Sequence, residues 1–341
     1  VIDFRYHLVS LISVFLALAV GIVLGAGPLQ GPIGSSLTSQ VDSLRADRDQ
    51  LRTDLDVSRE QTQQTAAFVE ATASDLVADA LEDRSVVLVR ANGADHDEAD
   101  AISARIEEAG GGVATDLDFT ESTFSAPDEA LVTALRDADP TLPEDDAAVV
   151  TQALARALGT QPAADDAEAG DGEETAPASQ PTESADGSQQ SEDDARAASE
   201  DLFDVLAEAG RIDRGEWTDA DAVVVLSPGV AEDTTADPTP SASATAEAAQ
   251  PESAQLIALS GFSSALAGET TTVVAGPTSS AEAGLLADLR ADRVDLSTVD
   301  GTDLATGPVL VPLVTQAALD GTFGDYGTGS GATAVLPDAA Q

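Results

Sequence analysis

Asp95-His96-Asp97-Glu98 sets one imidazole among three carboxylates in four consecutive residues. That donor set suits a divalent ion such as Zn(II) or Cu(II), with Asp95, His96 and Asp97 as the candidate ligands. The same residues also fit a purely structural role. An Asp followed three residues later by Glu is a capping-box-like helix start, and acids favour a helix N-terminus. Both readings stay open. His96 is also the one base available for a nucleophilic triad in the exported part. Ser227 and Ser260 lie near expected strand or helix ends, but no G-x-S-x-G motif accompanies them. GDYGTGSG (324–331) has glycines spaced like a dinucleotide loop, yet it precedes a strand-like run instead of opening a helix. It reads as a tight turn, with Tyr326 packing on the domain. The expectation is a protein that is not an enzyme, with no assigned catalytic residue or bound organic cofactor.

Composition narrows the chemistry further. The chain has 341 residues, no Cys and no Met, and a formal charge of −47. Every one of its 15 basic residues is Arg. Such a charge repels nucleic-acid phosphates and anionic lipid surfaces alike. Without Cys there is no disulfide, thiol nucleophile or thiolate metal site. Aromatic residues make up only 3%, so a core must be built from Ala, Val, Leu and Ile. The lack of Met leads to the expectation that Val1 is a start codon read literally.

These residues need elements to position them. Leu8 to Ala26 carries no charge, and as a helix it spans about 28 Å, close to a bilayer core. Arg5 and His7 precede it, and no basic residue follows until Arg45. The expectation is a retained signal anchor over residues 1–30, with the N-terminus cytoplasmic and the rest exported. Ala17, Gly21 and Gly25 recur every four residues, a small-xxx-small face that lets two such helices approach closely.

Gly27-Pro28 and Gly31-Pro32 read as a break. A heptad pattern follows over 35–82, with Leu37, Leu44 and Leu51 at one seam position and Val41 and Leu55 at the other. Arg48 interrupts the seam, Ser58, Thr62 and Thr65 make it polar, and Val69 and Leu76 restore it. Residues 37–80 would reach about 66 Å as a helix. The expectation is a long parallel coiled coil in a homodimer, because one anchor at the same end of each chain forces parallel alignment. The alternative is a single solvated amphipathic helix.

From Ser85 the pattern changes. Apolar, β-branched runs at 85–90, 111–119, 221–229, 271–277, 293–299 and 332–337 read as strands. Helical patterns fall at 97–109, 127–138, 144–158, 196–209, 252–267, 279–290 and 307–320. Alternating short strands and helices predict a Rossmann-like layered α/β domain over 85–337 with a parallel sheet. Two acidic, low-complexity stretches, 160–195 and 231–251, are expected to be disordered insertions in it.

The N-terminal RYHLVSLISVFLALAVGIVLG resembles the start of the mycobacterial copper transport protein B (MctB) family of actinobacteria. STVDGTDLATGPVLVPLVTQAALDG with FGDYGTG resembles that family's C-terminal end, around Ser297-Thr298-Val299-Asp300 and Tyr326-Gly327-Thr328-Gly329. The acidic inserts lie outside the resemblance. It implies a cell-envelope protein tied to copper homeostasis, helping to remove or exclude copper. SteB-like corynebacterial members are instead linked to cell separation, with a partner protein governing peptidoglycan hydrolysis. Cu(I) prefers thiolate and thioether ligands, which this chain lacks, so any copper role is expected to be indirect or to run through partners. The alternative is a dimeric envelope scaffold whose weak coiled coil takes a partner helix.

Overall fold

The structure, a computed structural model, describes residues 4–26, 30–159, 185–213, 215, 217–230 and 251–337. It divides into two compact units, Val1–Thr65 and Ala66–Gln341.

The first unit holds α1 (Phe4–Ala26) and most of α2 (Gln30–Val77). Within α1, Phe4–Val23 has a mean hydropathy of 2.3, long and apolar enough to cross a membrane. The expected break at Gly31-Pro32 is absent. Both residues lie in the first turn of α2, where a proline costs no intrahelical hydrogen bond. Along α2, the hydroxyls of Thr53, Thr62 and Thr65 donate to carbonyls one turn back.

The second unit begins inside α2. From Ala66 the helix gains a buried face: Ala73 and Val77 are fully buried and Val69 packs partly against the same cluster. The 3.6-residue ladder of Val69, Ala73 and Val77 replaces the heptad seam here, and Leu76, an expected seam residue, is left exposed. The helix ends at Val77, not 82, in turns with Asp79 and Asp83 at positive φ.

The sheet and its helices follow in the order β1 (Ser85–Arg90), α3 (His96–Glu108), β2 (Gly112–Phe119), α4 (Glu129–Ala138), α5 (Asp146–Leu158), α6 (Ala185–Glu208), β3 (Ile212–Asp213), β4 (Ala222–Leu226), α7 (Pro251–Ala267), β5 (Thr271–Gly276), α8 (Thr278–Ala283), α9 (Leu285–Asp292), β6 (Ser297–Asp300), α10 (Gly307–Leu319) and β7 (Asp325–Tyr326). The seven strands lie in the order β3-β2-β1-β4-β5-β6-β7. All neighbours are parallel except β2 and β3. This is a doubly wound α/β sheet whose chain direction across the sheet reverses between β1 and β4.

Both faces are covered, which is why the central strands are apolar throughout instead of alternating. Val87 and Val89 of β1 face one core with residues of α4, α5, α6, α7 and α9, while Val86 and Leu88 face the other with α3, α10 and the end of α2. β4 is buried at every position.

Several expectations are corrected. The second half of the first acidic stretch is not all irregular: α6 starts at Ala185, and its Leu202, Phe203 and Leu206 reach the core. The expected disorder of 160–184 and 231–250 lies outside the described residues. The helix expected at 279–290 is two short helices parted at Gly284, where a Cβ would sit 2.9 Å from the Ser280 backbone. Arg293, left-handed at φ 53°, ends α9 and delays β6 to Ser297. The edge strand expected at 332–337 is displaced: Asp325–Tyr326 supplies β7, and Ala334 adds only a single bridge to Tyr326.

Candidate functional site

In an open parallel sheet, ligands gather where the strand order reverses, beyond the carboxyl ends of the strands. Here that point lies between β1 and β4. A depression of about 430 Å³ occupies it, lined by Gly93, Asp95, Glu98, Ser227, Pro277 and Asp303, among others. A second, of about 510 Å³, shares Asp95, Glu98 and Asp303 and runs on between α3, the end of α2 and the start of α10. The sequence reading of residues 95–98 therefore fell on the position where this topology concentrates chemistry.

The carboxylates there are engaged in holding the backbone. Asp95 is the N-cap of α3, its Oδ1 accepting from the backbone N–H of Asp97 at 2.7 Å and of Glu98 at 3.3 Å. Asp303 Oδ1 accepts from both Thr278 N and Thr278 Oγ1, at 2.7 and 2.9 Å, and so fixes the start of α8. Glu98 accepts from Thr302 Oγ1, tying α3 to the loop after β6. Burial pushes the Glu98 carboxyl above the ordinary carboxylate range; the Thr302 hydrogen bond opposes this, and the Asp95 and Asp303 charges add to the rise. Beneath them Ser227 Oγ and Ser280 Oγ lie 2.6 Å apart, linking β4 to α8.

His96 and Asp97 are exposed on the first turn of α3. Asp95, His96 and Asp97 are thus neighbours in sequence whose side chains are not gathered: among the described residues, no group of three or more His, Asp or Glu is placed to hold a metal ion. The crevice as built is an acidic, cation-attracting surface.

The two C-terminal motifs meet at a different place, the end of β6. Asp300 and Arg290 form an ion pair at 2.9 Å with side chains only 1% and 5% exposed. Asp300 Oδ1 accepts from the backbone N–H of Thr328 and Gly329 at 2.9 and 2.8 Å. Arg290 also donates to Thr298 Oγ1 and to the carbonyls of Tyr326 and Ser330. The glycines are needed for this approach: at Gly327, with φ +123°, a Cβ would stand 2.4 Å from Asp300 Cγ. GDYGTGSG is therefore a turn clamped onto a buried carboxylate, and Tyr326 packs into the core as expected. The pairing with Arg290 carries no signal in the sequence.

At the carboxyl end of β1, Arg90 is buried and reaches Asp116 and Asp118 of β2, with its second terminal nitrogen lacking a partner among the described residues. Of the expected coiled-coil residues, Val41, Leu44, Leu51 and Leu55 are exposed along α2, and the side chain of Leu37 lies outside the described residues. Ala17, Gly21 and Gly25 share one exposed face of α1, and among the described residues a Cβ added at either glycine would meet nothing within 4 Å beyond its own helix turn.

A family model described as copper transport outer membrane protein, MctB, matches residues 1–337. The copper transporter MctB of Mycobacterium tuberculosis (strain H37Rv) is 38% identical over 125 residues, which is 37% of this chain and 40% of the relative. Its namesake in Mycobacterium bovis matches to the same extent, and that of Mycobacterium leprae is 34% identical over 125 residues, 39% of its length. The aligned stretch thus spans about two fifths of the curated relatives.

Proposed function

This chain belongs to the MctB family, and from that premise we propose that it is a membrane-anchored cell-envelope protein that contributes to copper homeostasis or efflux indirectly, or with partners. Copper is then a cargo of the pathway and not a resident ion of this domain. The observation that carries the indirect route is the donor set. The chain has no Cys or Met for Cu(I), its two His are residues 7 and 96, and Asp95, which precedes His96, is engaged as a helix cap. In this reading α1 stays in the membrane with Arg5 and His7 on the cytoplasmic side, and the α/β domain is extracytoplasmic.

The test is cell-associated copper in a deletion strain against its parent at matched external copper. Raised copper, restored by the intact gene, supports the reading; unchanged copper refutes it.

One observation favours a second reading. The exposed apolar stripe of α2 turns polar at Ser58, Thr62 and Thr65, a seam weak enough to admit a partner helix. In this alternative the protein is a dimeric scaffold that regulates peptidoglycan hydrolysis and cell separation. Unseparated cells with unchanged copper in the same deletion strain would select it.

A further inference from the structure

The exposed face of α2 carries more than an apolar stripe. Val41 and Leu44 set the a and d positions, and the pattern continues through Arg48 (a), Leu51 (d), Leu55 (a), Ser58 (d), Thr62 (a) and Thr65 (d). Leu44 and Leu51 are 67% and 68% exposed among the described residues. The flanking positions are sorted by charge. The e positions are Arg45, Arg52 and Arg59, and the g positions between them are Asp47 and Asp54.

In a parallel, in-register pair of helices, each g residue faces the e residue of the following heptad on the other helix. Asp47 then faces Arg52 of a second copy, and Asp54 faces Arg59, twice over by symmetry. In an antiparallel pair e faces e and g faces g, which sets arginine against arginine and aspartate against aspartate. A helix shifted by one heptad keeps three of the four pairs, because Arg45 and Arg52 then face Asp47 and Asp54 on one side while only Asp47–Arg59 remains on the other. The charge pattern therefore discriminates orientation strongly, and register by one pair.

The helix's own ion pairs account for only part of this pattern. Arg45 meets Asp42 and Arg59 meets Asp56, both three residues apart and exposed, and Arg48 meets its neighbour Asp49. Those acids sit at b. Asp54 accepts from Gln50, and among the described residues neither Asp47 nor Asp54 is paired with an arginine of its own chain. The g-position acids are the ones a solvated single helix leaves unexplained.

We propose that residues 41–65 of α2 form a parallel, in-register coiled coil with a second copy of this chain, with Asp47–Arg52 and Asp54–Arg59 pairs between copies as the selecting contacts. Arg48 occupies an a position, in a hole flanked by Asp47 of the other helix. A single charged residue there trades stability for register and a two-stranded state. This surface lies within one compact unit and does not rest on the copper reading; failure of either leaves the other standing.

The chain has no cysteine, so the test uses single cysteines in the full-length protein held in detergent or nanodiscs, oxidised without copper. Leu51→Cys, at d, should give a disulfide-linked dimer, and Thr53→Cys, at the outward f position, should not. Adding Arg52→Glu with Arg59→Glu to Leu51→Cys should cut self-linking roughly tenfold or more, because four attractive contacts become repulsive. Asp47→Arg with Asp54→Arg should do the same. Mixed together, the two charge variants should link to each other and recover the yield. Equal linking at residues 51 and 53, linking indifferent to charge reversal, failure of the mixed variants to recover, a monomeric full-length chain, or linking only to a different protein would each overturn the proposal. Unchanged circular dichroism of the variants excludes simple unfolding.

Discussion

Asp300 and Gly329 are joined by a 2.8 Å hydrogen bond from the Gly329 backbone N–H to Asp300 Oδ1, while Asp300 Oδ2 holds the Arg290 guanidinium at 2.9 Å. One buried carboxylate thus ties the end of β6 to α9 and to the turn after β7. Among the described residues, its donors are the Arg290 guanidinium and the backbone N–H of Thr328 and Gly329. Arg290 also lies 3.8 Å from Asp325, so losing Asp300 leaves it partly compensated, whereas losing Arg290 leaves Asp300 with backbone donors alone; breaking a buried pair of this kind costs up to about 3–5 kcal/mol.

Asp300→Asn and Arg290→Met should each destabilise the protein by that amount, read as a fall of about 10 °C in the melting temperature of the α/β unit. Gly327→Ala should approach the same loss through steric overlap with Asp300, with no change in charge. A melting temperature within 2 °C of the parent, for either charge variant, would show that the clamp is dispensable.

How much of this was legible follows from how each part is specified. The runs SVVLVR, AVVVL and TTVVAG are buried on both faces, so local composition alone marks them as strands. β3 and β7 are two residues long and exist only through the partners they pair with, Phe119 and Val299 among them. No local pattern can report that. The Asp95 cap was readable because its partners are two and three residues away. The Asp300 clamp was not, since its donors come from residues 290, 328 and 329 and are brought together by the sheet register. The heptad reading runs on through Val69 and Leu76, because the switch at Ala66 to a face packed on the domain's own core leaves no local signal. Ala73, a small residue with no seam signal of its own, is fully buried in that contact.

That switch gives a second prediction. The α/β unit begins at Ala66 and needs the last turns of α2 to cover the α3/α10 core. Val77→Asp should destabilise it by at least about 3 kcal/mol through a buried, unpaired carboxylate, whereas Leu76→Asp, on the exposed side, should stay within about 0.5 kcal/mol. Chemical denaturation of the two variants measures the contrast. Equal effects would mean that the face is assigned wrongly.

Asp221 provides a pH-dependent test. Burial works against its ionisation, but hydrogen bonds from the Ser85 backbone N–H, Arg84 and the Ser85 hydroxyl outweigh it and lower its pKa. The folded state therefore binds this proton less readily than the unfolded one. The contribution is present above the ordinary Asp range and is lost as pH falls through the lowered pKa. Asp221→Asn should cost about 1–2 kcal/mol at pH 7, and the gap to the parent should close in strong acid. A gap independent of pH would rule out the ionised carboxylate as its source.

Glu98 has the opposite sign. Its pKa is raised, by burial first, so its contribution is greatest below the ordinary Glu range and fades as pH rises through the raised value. Glu98→Gln keeps an acceptor for the Thr302 hydroxyl and removes the charge beside Asp95 and Asp303. Thermal melts should show a small gain in stability at neutral pH that disappears at low pH. A loss at neutral pH would mean that the ionised form is needed, and would point to a cation held in the crevice.

In the proposed function, copper is handled without a copper site in this domain. The most direct test complements the deletion strain with the intact gene or with His96→Ala and compares cell-associated copper at matched external copper. The deletion should raise copper, and both genes should restore it to the parental level. Raised copper that the intact gene corrects and His96→Ala does not would contradict that expectation and place a ligand at His96.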